Sequence, residues 1–219
     1  MNIIDVKQGT AEWIMSRLGV PTASCFDQIL TAKKLEPSAS QAKYLVRLCS
    51  EWFIGEPIDD GSGSGFTERG TGMEEEAARW YSFDTGSSVE SAGFCLHDDH
   101  IAGCSPDRFV GADGLLEIKC PAAHTHMNYY LNGFEDAYTL QVQGQLWVTG
   151  RKWLDKLSYH PVIPCVTLRV HRDEKIIAAI DREVRAFSEK LEAARKRLES
   201  FRPAPKVFTE EADSDDMPF

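Results

Sequence analysis

The sequence lacks paired cysteines, membrane-length apolar runs and an excess of positive charge. Its six cysteines are spread singly over 219 residues with no Cys-x-x-Cys pair. Neither a zinc site nor a disulfide framework is therefore indicated, and we expect a reducing, cytoplasmic setting. No apolar run approaches the roughly 20 residues that cross a bilayer, and residues 1–5 do not have the form of a signal peptide. We expect no contact with a membrane.

The negative charge is uneven along the chain. The formal net charge is −10, of which residues 203–219 carry −4, leaving −6 for the remainder. Such a balance counts against loose attraction to nucleic acid, so a DNA enzyme of this kind must concentrate its basic residues in a groove or channel. We interpret residues 1–202 as a single domain and residues 203–219 as an acidic, disordered tail.

The most informative stretch is a predicted β-hairpin. Nine residues separate Ser105-Pro106-Asp107 from Glu117-Ile118-Lys119, and among them Gly111-Ala112-Asp113-Gly114 is typical of a tight turn. Glu117 and Lys119 share one strand face, since side chains alternate, and the hairpin returns that face to Asp107. The turn type sets the register, which the sequence leaves open.

Convergence of two carboxylates and an ammonium indicates a specific chemistry. Oxygen ligands suit a hard divalent cation such as Mg²⁺, which acidifies a bound water and neutralises phosphate charge. A neighbouring lysine can orient or deprotonate that water. These are the parts of metal-assisted phosphodiester hydrolysis. The competing interpretation is a solvated polar strand face with no catalytic role.

The remaining pattern predicts an α/β fold with a mixed central sheet flanked by helices. Gly55 begins a glycine-rich, flexible loop that extends to residue 65. The predicted helices cover residues 13–18, 25–30 (capped by Thr22 or Ser24), 40–54, 66–83, 121–131 (begun by Pro121), 136–148 and 173–201. The predicted strands outside the hairpin cover residues 92–96, 101–104, 153–159 and 165–171.

Several polar residues stand out within these elements, each with an ordinary alternative. Arg17 beside the hydroxyl of Ser24 could form a phosphate pocket, or be a surface arginine next to a helix cap. Glu74 shares a stripe with small and apolar residues, which is unusual for a solvated glutamate. Gln141 and Gln145 lie one helical turn apart and could simply be the wet face of their helix. His124 and His126 are two residues apart and face different ways, which argues against joint metal ligation.

These motifs, taken in order, resemble a known nuclease family. Ser105-Pro106-Asp107 with Glu117-Ile118-Lys119-Cys120-Pro121 resembles the signature of the PD-(D/E)xK nucleases. Further strings are similar to the lambda-type alkaline exonucleases of the YqaJ-type viral recombinase family. They are Gln-Gly-x-x-x-Trp at residues 8–13, Arg-x-Gly-x-x-x-Ala-Ser at 17–24, Gly-Thr-Gly-Met-Glu at 70–74 and Gln-Val-Gln-x-x-x-Trp at 141–147.

The resemblance implies a role for each matching residue. Asp107, Glu117 and Lys119 would be catalytic, with Gln141 orienting catalytic groups or the bound water. Mg²⁺ or Mn²⁺, two ions to a site, would be held by Glu74, Asp107, Glu117 and Ile118. Arg17, Ser24 and Ser105 would hold a 5′-terminal phosphate of DNA, with Trp13 near the DNA entrance, although a core position for Trp13 is an equal alternative.

The function that the resemblance implies is 5′-to-3′ digestion of one strand of linear duplex DNA to mononucleotides, leaving a 3′ overhang for single-strand annealing recombination. A homotrimeric ring around DNA and a phage-encoded protein in a bacterial cytosol are also implied. The alternatives are an endonucleolytic or structure-specific nuclease and a non-catalytic module that binds DNA ends or a recombinase. The segment from Asp213 to Phe219 resembles the acidic tip of single-stranded-DNA-binding proteins, so it could recruit a single-strand annealing protein.

Overall fold

A computed structural model describes residues 1–58, 68–134 and 138–201, with the backbone alone for 68–71. Part of the predicted glycine-rich loop, Asp136 and the acidic tail lie outside these residues. The helices are α1 (Ala11–Ser16), α2 (Gln41–Ile54), α3 (Glu68–Thr85), α4 (Ala123–Asn132), α5 (Thr139–Thr149) and α6 (Glu174–Glu199), with a 3₁₀ helix at Ala23–Gln28. The strands are β1 (Asn2–Ile4), β2 (Val89–Ser91), β3 (Phe94–Leu96), β4 (Gly103–Cys104), β5 (Arg108–Val110), β6 (Gly114–Lys119), β7 (Trp153–Ser158) and β8 (Val166–His171).

The strands form a five-stranded mixed sheet and a smaller sheet of three. The order in the larger sheet is β2-β5-β6-β7-β8, and the smaller sheet has the order β1-β3-β4. Strands β6 and β7 are parallel, whereas the other pairs are antiparallel. A parallel pair needs a crossover, which α4 and α5 supply. The predicted α/β architecture with a mixed central sheet flanked by helices is confirmed.

The alternation of side chains along β6 gives the large sheet two different apolar faces. Leu116 and Ile118 pack with Ala77, Ala78 and Tyr81 of α3. Leu115, one residue along, belongs to the larger core on the opposite face, which includes residues of α2, α5 and α6. Because both faces of β6 are covered, Glu117 and Lys119 emerge into a space between the sheet and α5 rather than into open solvent.

Helix α5 lies at the centre of the molecule. Nine of its residues, from Leu140 to Thr149, are buried, and it contacts the 3₁₀ helix, α6 and strands of both sheets. Gly144 allows the close approach to the 3₁₀ helix, since a Cβ there would lie 2.6 Å from the ring of Phe26 and 3.1 Å from Cβ of Ala23. The position of α5, and of the glutamines it carries, therefore depends on this small residue.

Replacing Gly144 with valine is expected to destabilise the fold by about 1–3 kcal/mol, because the added side chain overpacks the contact with Phe26. Urea unfolding followed by circular dichroism measures the change. Gly72→Val is the matched control, since Gly72 is also helical and a Cβ added there would have no neighbour within 4 Å. Valine is a better helix former than glycine, so an equal loss in both variants would show that the Phe26 contact does not control the effect.

Three predictions about helices differ from the structure for reasons that the backbone shows. Helix α4 begins at Ala123 rather than Pro121, because Ala122 has an extended backbone with φ −61° and ψ 152°. Helix α5 begins at Thr139, since Tyr138 has φ +63° and cannot continue a right-handed helix. The predicted helix 25–30 is the 3₁₀ helix, whose N-cap residue Thr22 makes no side-chain capping bond. Strands β1 and β2 were not predicted.

Helix α6 confirms its prediction closely. The Asp173 side chain accepts hydrogen bonds from the backbone N–H groups of Lys175 at 2.9 Å and Ile176 at 3.1 Å, which caps the first turn. The apolar face packs into the larger core through Ile177, Ile180, Val184, Phe187 and Leu191. In the described part of the chain, none of the helices combines the length and apolar character needed to cross a bilayer.

Candidate active site

The β5–β6 hairpin places Asp107 directly beside the backbone of Ile118. The register pairs Arg108 with Leu116 and Val110 with Gly114, so Asp107, just before β5, lies opposite Glu117. The Ile118 N–H donates to Oδ2 of Asp107 at 2.5 Å. The carbonyl of Lys119 accepts a hydrogen bond from the backbone N–H of Tyr159 at 2.8 Å, on the β7 side. Successive peptide groups alternate sides in a strand, so the Ile118 carbonyl is directed to the Asp107 side.

Glu117 is buried and accepts three hydrogen bonds. Its side chain has 4% relative exposure. Oε1 accepts from Nζ of Lys119 at 2.6 Å and from Nε2 of Gln141 at 2.7 Å, and Oε2 accepts from Nε2 of Gln145 at 2.7 Å. A solvated strand face is therefore the wrong interpretation for Glu117. Three donors hold the carboxylate in one orientation.

Gln145 is a site residue that the sequence analysis did not assign. Its spacing of one turn from Gln141 was the available signal. It is 2% exposed, and its amide oxygen has no hydrogen-bond partner among the described residues. The amide group is thus committed to Glu117 through its nitrogen. The alternative of a wet helix face is wrong for Gln145, because this part of α5 faces the sheet.

Lys119 is a charged group held against two carboxylates. Burial acts to lower the pKa of Lys119, but the charges of Glu117 and Asp107 and the hydrogen bond to Glu117 outweigh it, so the pKa is raised. Nζ also lies 4.9 Å from the ring centroid of Tyr138. An ammonium in this setting is suited to orienting a water molecule or stabilising negative charge more than to removing a proton.

The acids around Lys119 carry uncompensated negative charge. Burial, together with the charges of Glu117 and Glu74, raises the pKa of Asp107 well above its usual range. Burial also raises the pKa of Glu74, and the guanidinium of Arg108 opposes this only in part. The raised pKa values show that the ionised forms of Asp107 and Glu74 are disfavoured by their surroundings. A cation bound between these acids would stabilise the ionised forms.

The donor set fits the divalent metal expected here. In the residues that the structure describes, no three His, Cys, Asp or Glu side chains form a ready-made metal cage. Mg²⁺ does not require one, since it is usually held by one or two carboxylates and several waters. Asp107 and Glu117, with the Ile118 carbonyl on the same side, provide hard oxygen ligands of that kind.

Arg108 joins the predicted acids in a way that the sequence analysis missed. Its Nη1 donates to Oε1 of Glu74 at 3.0 Å and to the carbonyl of Asp107 at 2.6 Å, and its Nη2 donates to Oε1 of Glu75 at 2.5 Å. The structure therefore brings Glu74 to the Asp107 end of β5 through an arginine. The only sequence signal was the position of Arg108 immediately after Asp107.

The predicted phosphate-binding residues form one connected cluster. Nε1 of Trp13 donates to Oγ of Ser105 at 2.8 Å, and the Arg17 guanidinium carbon lies 4.3 Å from the Trp13 ring centroid. Nη2 of Arg17 approaches Oγ1 of Thr22 at 3.5 Å, and that hydroxyl lies 3.3 Å from Oγ of Ser24. Trp13 is buried, so it is both a core residue and part of this cluster.

The cluster lies close to the acids. Asp107 is two residues from Ser105, so their Cα atoms are at most about 7 Å apart. Nε2 of Gln8 donates to the Pro106 carbonyl at 2.7 Å and to the Ala92 carbonyl at 3.2 Å, which anchors the connecting residue. Burial lowers the pKa of Arg17. Because the guanidinium stays protonated, this shift indicates a desolvation cost that an anion would offset.

Other residues noted in the sequence do not join the site. His126 is buried and bonded to Oγ of Ser158 at 2.7 Å and to the Pro164 carbonyl at 2.9 Å, whereas His124 is exposed. The prediction that the two histidines do not ligate together is thus supported by their positions.

A profile of the YqaJ-like viral recombinase domain matches residues 12–152. The chain belongs to this family. This confirms the predicted family, and membership supports a nuclease function on DNA and implies a divalent metal. A search of curated protein sequences gave no match.

Solved structures agree with the YqaJ-like assignment. An alkaline exonuclease, LHK-Exo, from Laribacter hongkongensis is 34% identical, with a TM-score of 0.77, covering 88% of this chain and 97% of the other. The same values hold for LHK-Exo in complex with dAMP. A phage-related exonuclease from Haemophilus somnus 129PT is 15% identical with a TM-score of 0.63, covering 82% and 96%. The last of these shows a shared fold alone.

Proposed function

We propose that this YqaJ-like protein is a Mg²⁺-dependent 5′-to-3′ exodeoxyribonuclease. It digests the 5′-phosphorylated strand of linear duplex DNA to mononucleotides and leaves a 3′ overhang for single-strand annealing recombination. The observation that carries the proposal is the 2.8 Å bond from Trp13 to Ser105, because Ser105 connects the Arg17 cluster to Asp107 within two residues. The complex of LHK-Exo with dAMP, a mononucleotide, supports this product class.

In the proposed reaction each acid has a defined place. Asp107, Glu117 and the Ile118 carbonyl would hold Mg²⁺ or Mn²⁺, and Glu74 would contribute to a second ion. A bound cation supplies charge neutralisation at the phosphate and a water of lowered pKa. Lys119 orients the attacking water and stabilises the developing charge. Gln141 and Gln145 keep the Glu117 carboxylate in position.

The direction of digestion follows from the Arg17 cluster. The 5′-terminal phosphate is bound by Arg17, Ser24 and Ser105. The Trp13 ring packs against the Arg17 guanidinium and holds it in place. An anion held there is a short, constant distance from Asp107. The hydrolysed bond is therefore fixed relative to the 5′ end, which is the property that separates an exonuclease from an endonuclease.

Larger assemblies belong to the same proposal. A homotrimeric ring around DNA would allow basic residues to line a channel while the outer surface stays acidic. The tail, which lies outside the described residues, would recruit a single-strand annealing protein through Phe219. Deletion of residues 217–219 should abolish that binding while nuclease activity persists. Unchanged binding would reject this role of the tail.

Replacing Arg17 with alanine is expected to slow nucleotide release from 5′-phosphorylated ends by about 10- to 100-fold, because a charge-assisted hydrogen bond to phosphate is lost. Release from 5′-hydroxyl ends should change little. The measurement is Mg²⁺-dependent release of acid-soluble nucleotides from linear duplex DNA with each type of end, and closed circular DNA is included to detect endonuclease activity.

The matched control is Arg182→Ala, since Arg182 is a solvent-exposed arginine on α6 that pairs with Glu183 at 2.8 Å. It should behave as the wild type on both ends. If the wild type releases nucleotides equally from 5′-phosphate and 5′-hydroxyl ends, the Arg17 cluster is not a phosphate site, although the protein is still a nuclease. Cleavage of closed circles would favour an endonuclease, and metal-independent DNA binding without hydrolysis would favour a binding module.

A further inference from the structure

Arg108 is a buried cation placed among the acids of the site. It is 7% exposed, and a buried guanidinium requires partners. It has three: Glu74 on α3, Glu75 on α3 and the carbonyl of Asp107 next to its own strand. The Glu74 side chain is only 23% exposed, whereas that of Glu75 is 71% exposed. Arg108 therefore binds one partly buried carboxylate and one exposed carboxylate.

We propose that Arg108 competes with a divalent cation for the Glu74 carboxylate and thereby sets how tightly the second cation binds. The inference rests on the proposed function in one respect, that Glu74 is a ligand of the second ion. It adds a residue with no assigned role to the metal chemistry of the site. Arg108 acts here through Glu74 and does not touch the substrate.

The charges around the site support competition. Carboxyl groups bind a metal ion in their ionised form. In the metal-binding state the site therefore has four negative charges, on Asp107, Glu117, Glu74 and Glu75, and two positive charges, on Lys119 and Arg108. Two negative charges remain, which one divalent cation balances. A second divalent cation would enter a site that is already neutral, close to a fixed positive charge. Removal of Arg108 restores a negative charge and should favour the second ion.

The contacts of Arg108 also show how it could release Glu74. Nη1 is shared between Glu74 and the Asp107 carbonyl, at 3.0 Å and 2.6 Å, so the shorter contact is to the backbone. Nη2 binds Glu75 independently. Arg108 can thus lose Glu74 and keep two partners. Replacement of Arg108 by a cation at Glu74 therefore requires only a small movement of the Arg108 side chain.

The test is Mn²⁺ titration of the full-length protein by isothermal calorimetry, without DNA. Arg108→Gln is expected to bind the weaker ion about tenfold more tightly, or more, than the wild type. The effect should vanish in Glu74→Gln, where Arg108→Gln changes nothing further. Arg108→Lys should lie between, because one ammonium cannot replace the planar fork of arginine.

Arg185→Gln is the matched control. Arg185 also bridges two acids on different elements, Asp99 at 2.7 Å and Asp181 at 3.0 Å, but it lies on α6, so its loss should leave both affinities unchanged. Circular dichroism checks folding, and Arg108→Lys carries the test if Arg108→Gln does not fold. If the affinity for the second Mn²⁺ ion is lower or unchanged in the folded Arg108 variant, this inference is overturned and the proposed function stands. Absence of Mn²⁺ binding in every protein would overturn the proposed function with it.

Discussion

Replacing Lys119 with alanine is expected to lower Mg²⁺-dependent nucleotide release from linear duplex DNA by about 10²- to 10⁴-fold. The ammonium lies 2.6 Å from Oε1 of Glu117, at the carboxyl end of β6, where a phosphate and its attacking water would meet the acids. Its loss removes the positive charge that would stabilise the transition state of the proposed reaction. It also leaves Glu117 with two amide donors and no cation.

Single-turnover release of acid-soluble nucleotides measures this change. Lys152→Ala is the matched control, since Lys152 lies just before β7 of the same sheet and pairs with Asp113 at 2.9 Å, but both side chains are exposed. It should retain wild-type rates. A loss smaller than about tenfold in Lys119→Ala would mean that Lys119 is a structural partner of Glu117 and that another group performs the proposed chemistry.

The second large effect is on stability. Asp155 of β7 is 2% exposed and accepts three hydrogen bonds. Two come from Arg169, from Nε and Nη2 at 2.8 Å each, and one comes from the hydroxyl of Tyr81 at 2.5 Å. The network therefore joins α3, β7 and β8 beneath the site. Helix α3 carries Glu74, so its position depends partly on this carboxylate.

Asp155→Ala is expected to lower the free energy of unfolding by about 2–4 kcal/mol. The buried Tyr81 hydroxyl loses its acceptor, which costs about 1–3 kcal/mol, and a cavity adds to this. The Arg169 side chain is 48% exposed, so it regains water and the full cost of breaking a buried ion pair does not apply. Urea unfolding at neutral pH measures the change.

Asp113→Ala is the corresponding control, because Asp113 also pairs with a cation but lies at the surface. A change of less than about 0.5 kcal/mol is expected there. A similarly small change in Asp155→Ala would show that the α3, β7 and β8 network contributes little to the fold.

The accuracy of the sequence predictions depended on how local their causes are. The hairpin was predicted because Gly111–Gly114 has turn residues and because the strand face of Glu117 and Lys119 follows from alternation. Helix α6 was predicted within two residues at each end, since its apolar period and the Asp173 cap are local signals. The start of α5 was wrong because the left-handed backbone of Tyr138 has no signal in a tyrosine.

The residues that support the acids were harder to find. Gln145 carries the same side chain as Gln141, and only the packing of α5 on the sheet shows that both donate to Glu117. Arg108 follows Asp107 in sequence, yet its partners Glu74 and Glu75 lie on a helix more than 30 residues earlier. Such contacts depend on how α3 meets β5, which no local pattern encodes.

The sequence alone thus determined the kind of molecule: an α/β chain of the YqaJ-like family with two acids and a lysine on one hairpin. Local spacing and motif order suffice for that, because alternation and turn chemistry act over a few residues. Only the tertiary structure decided that Glu117 is buried under two glutamines, that Trp13 joins Arg17 to Ser105, and that Arg108 holds Glu74. Those contacts join elements distant in sequence, and packing alone brings them within hydrogen-bond distance.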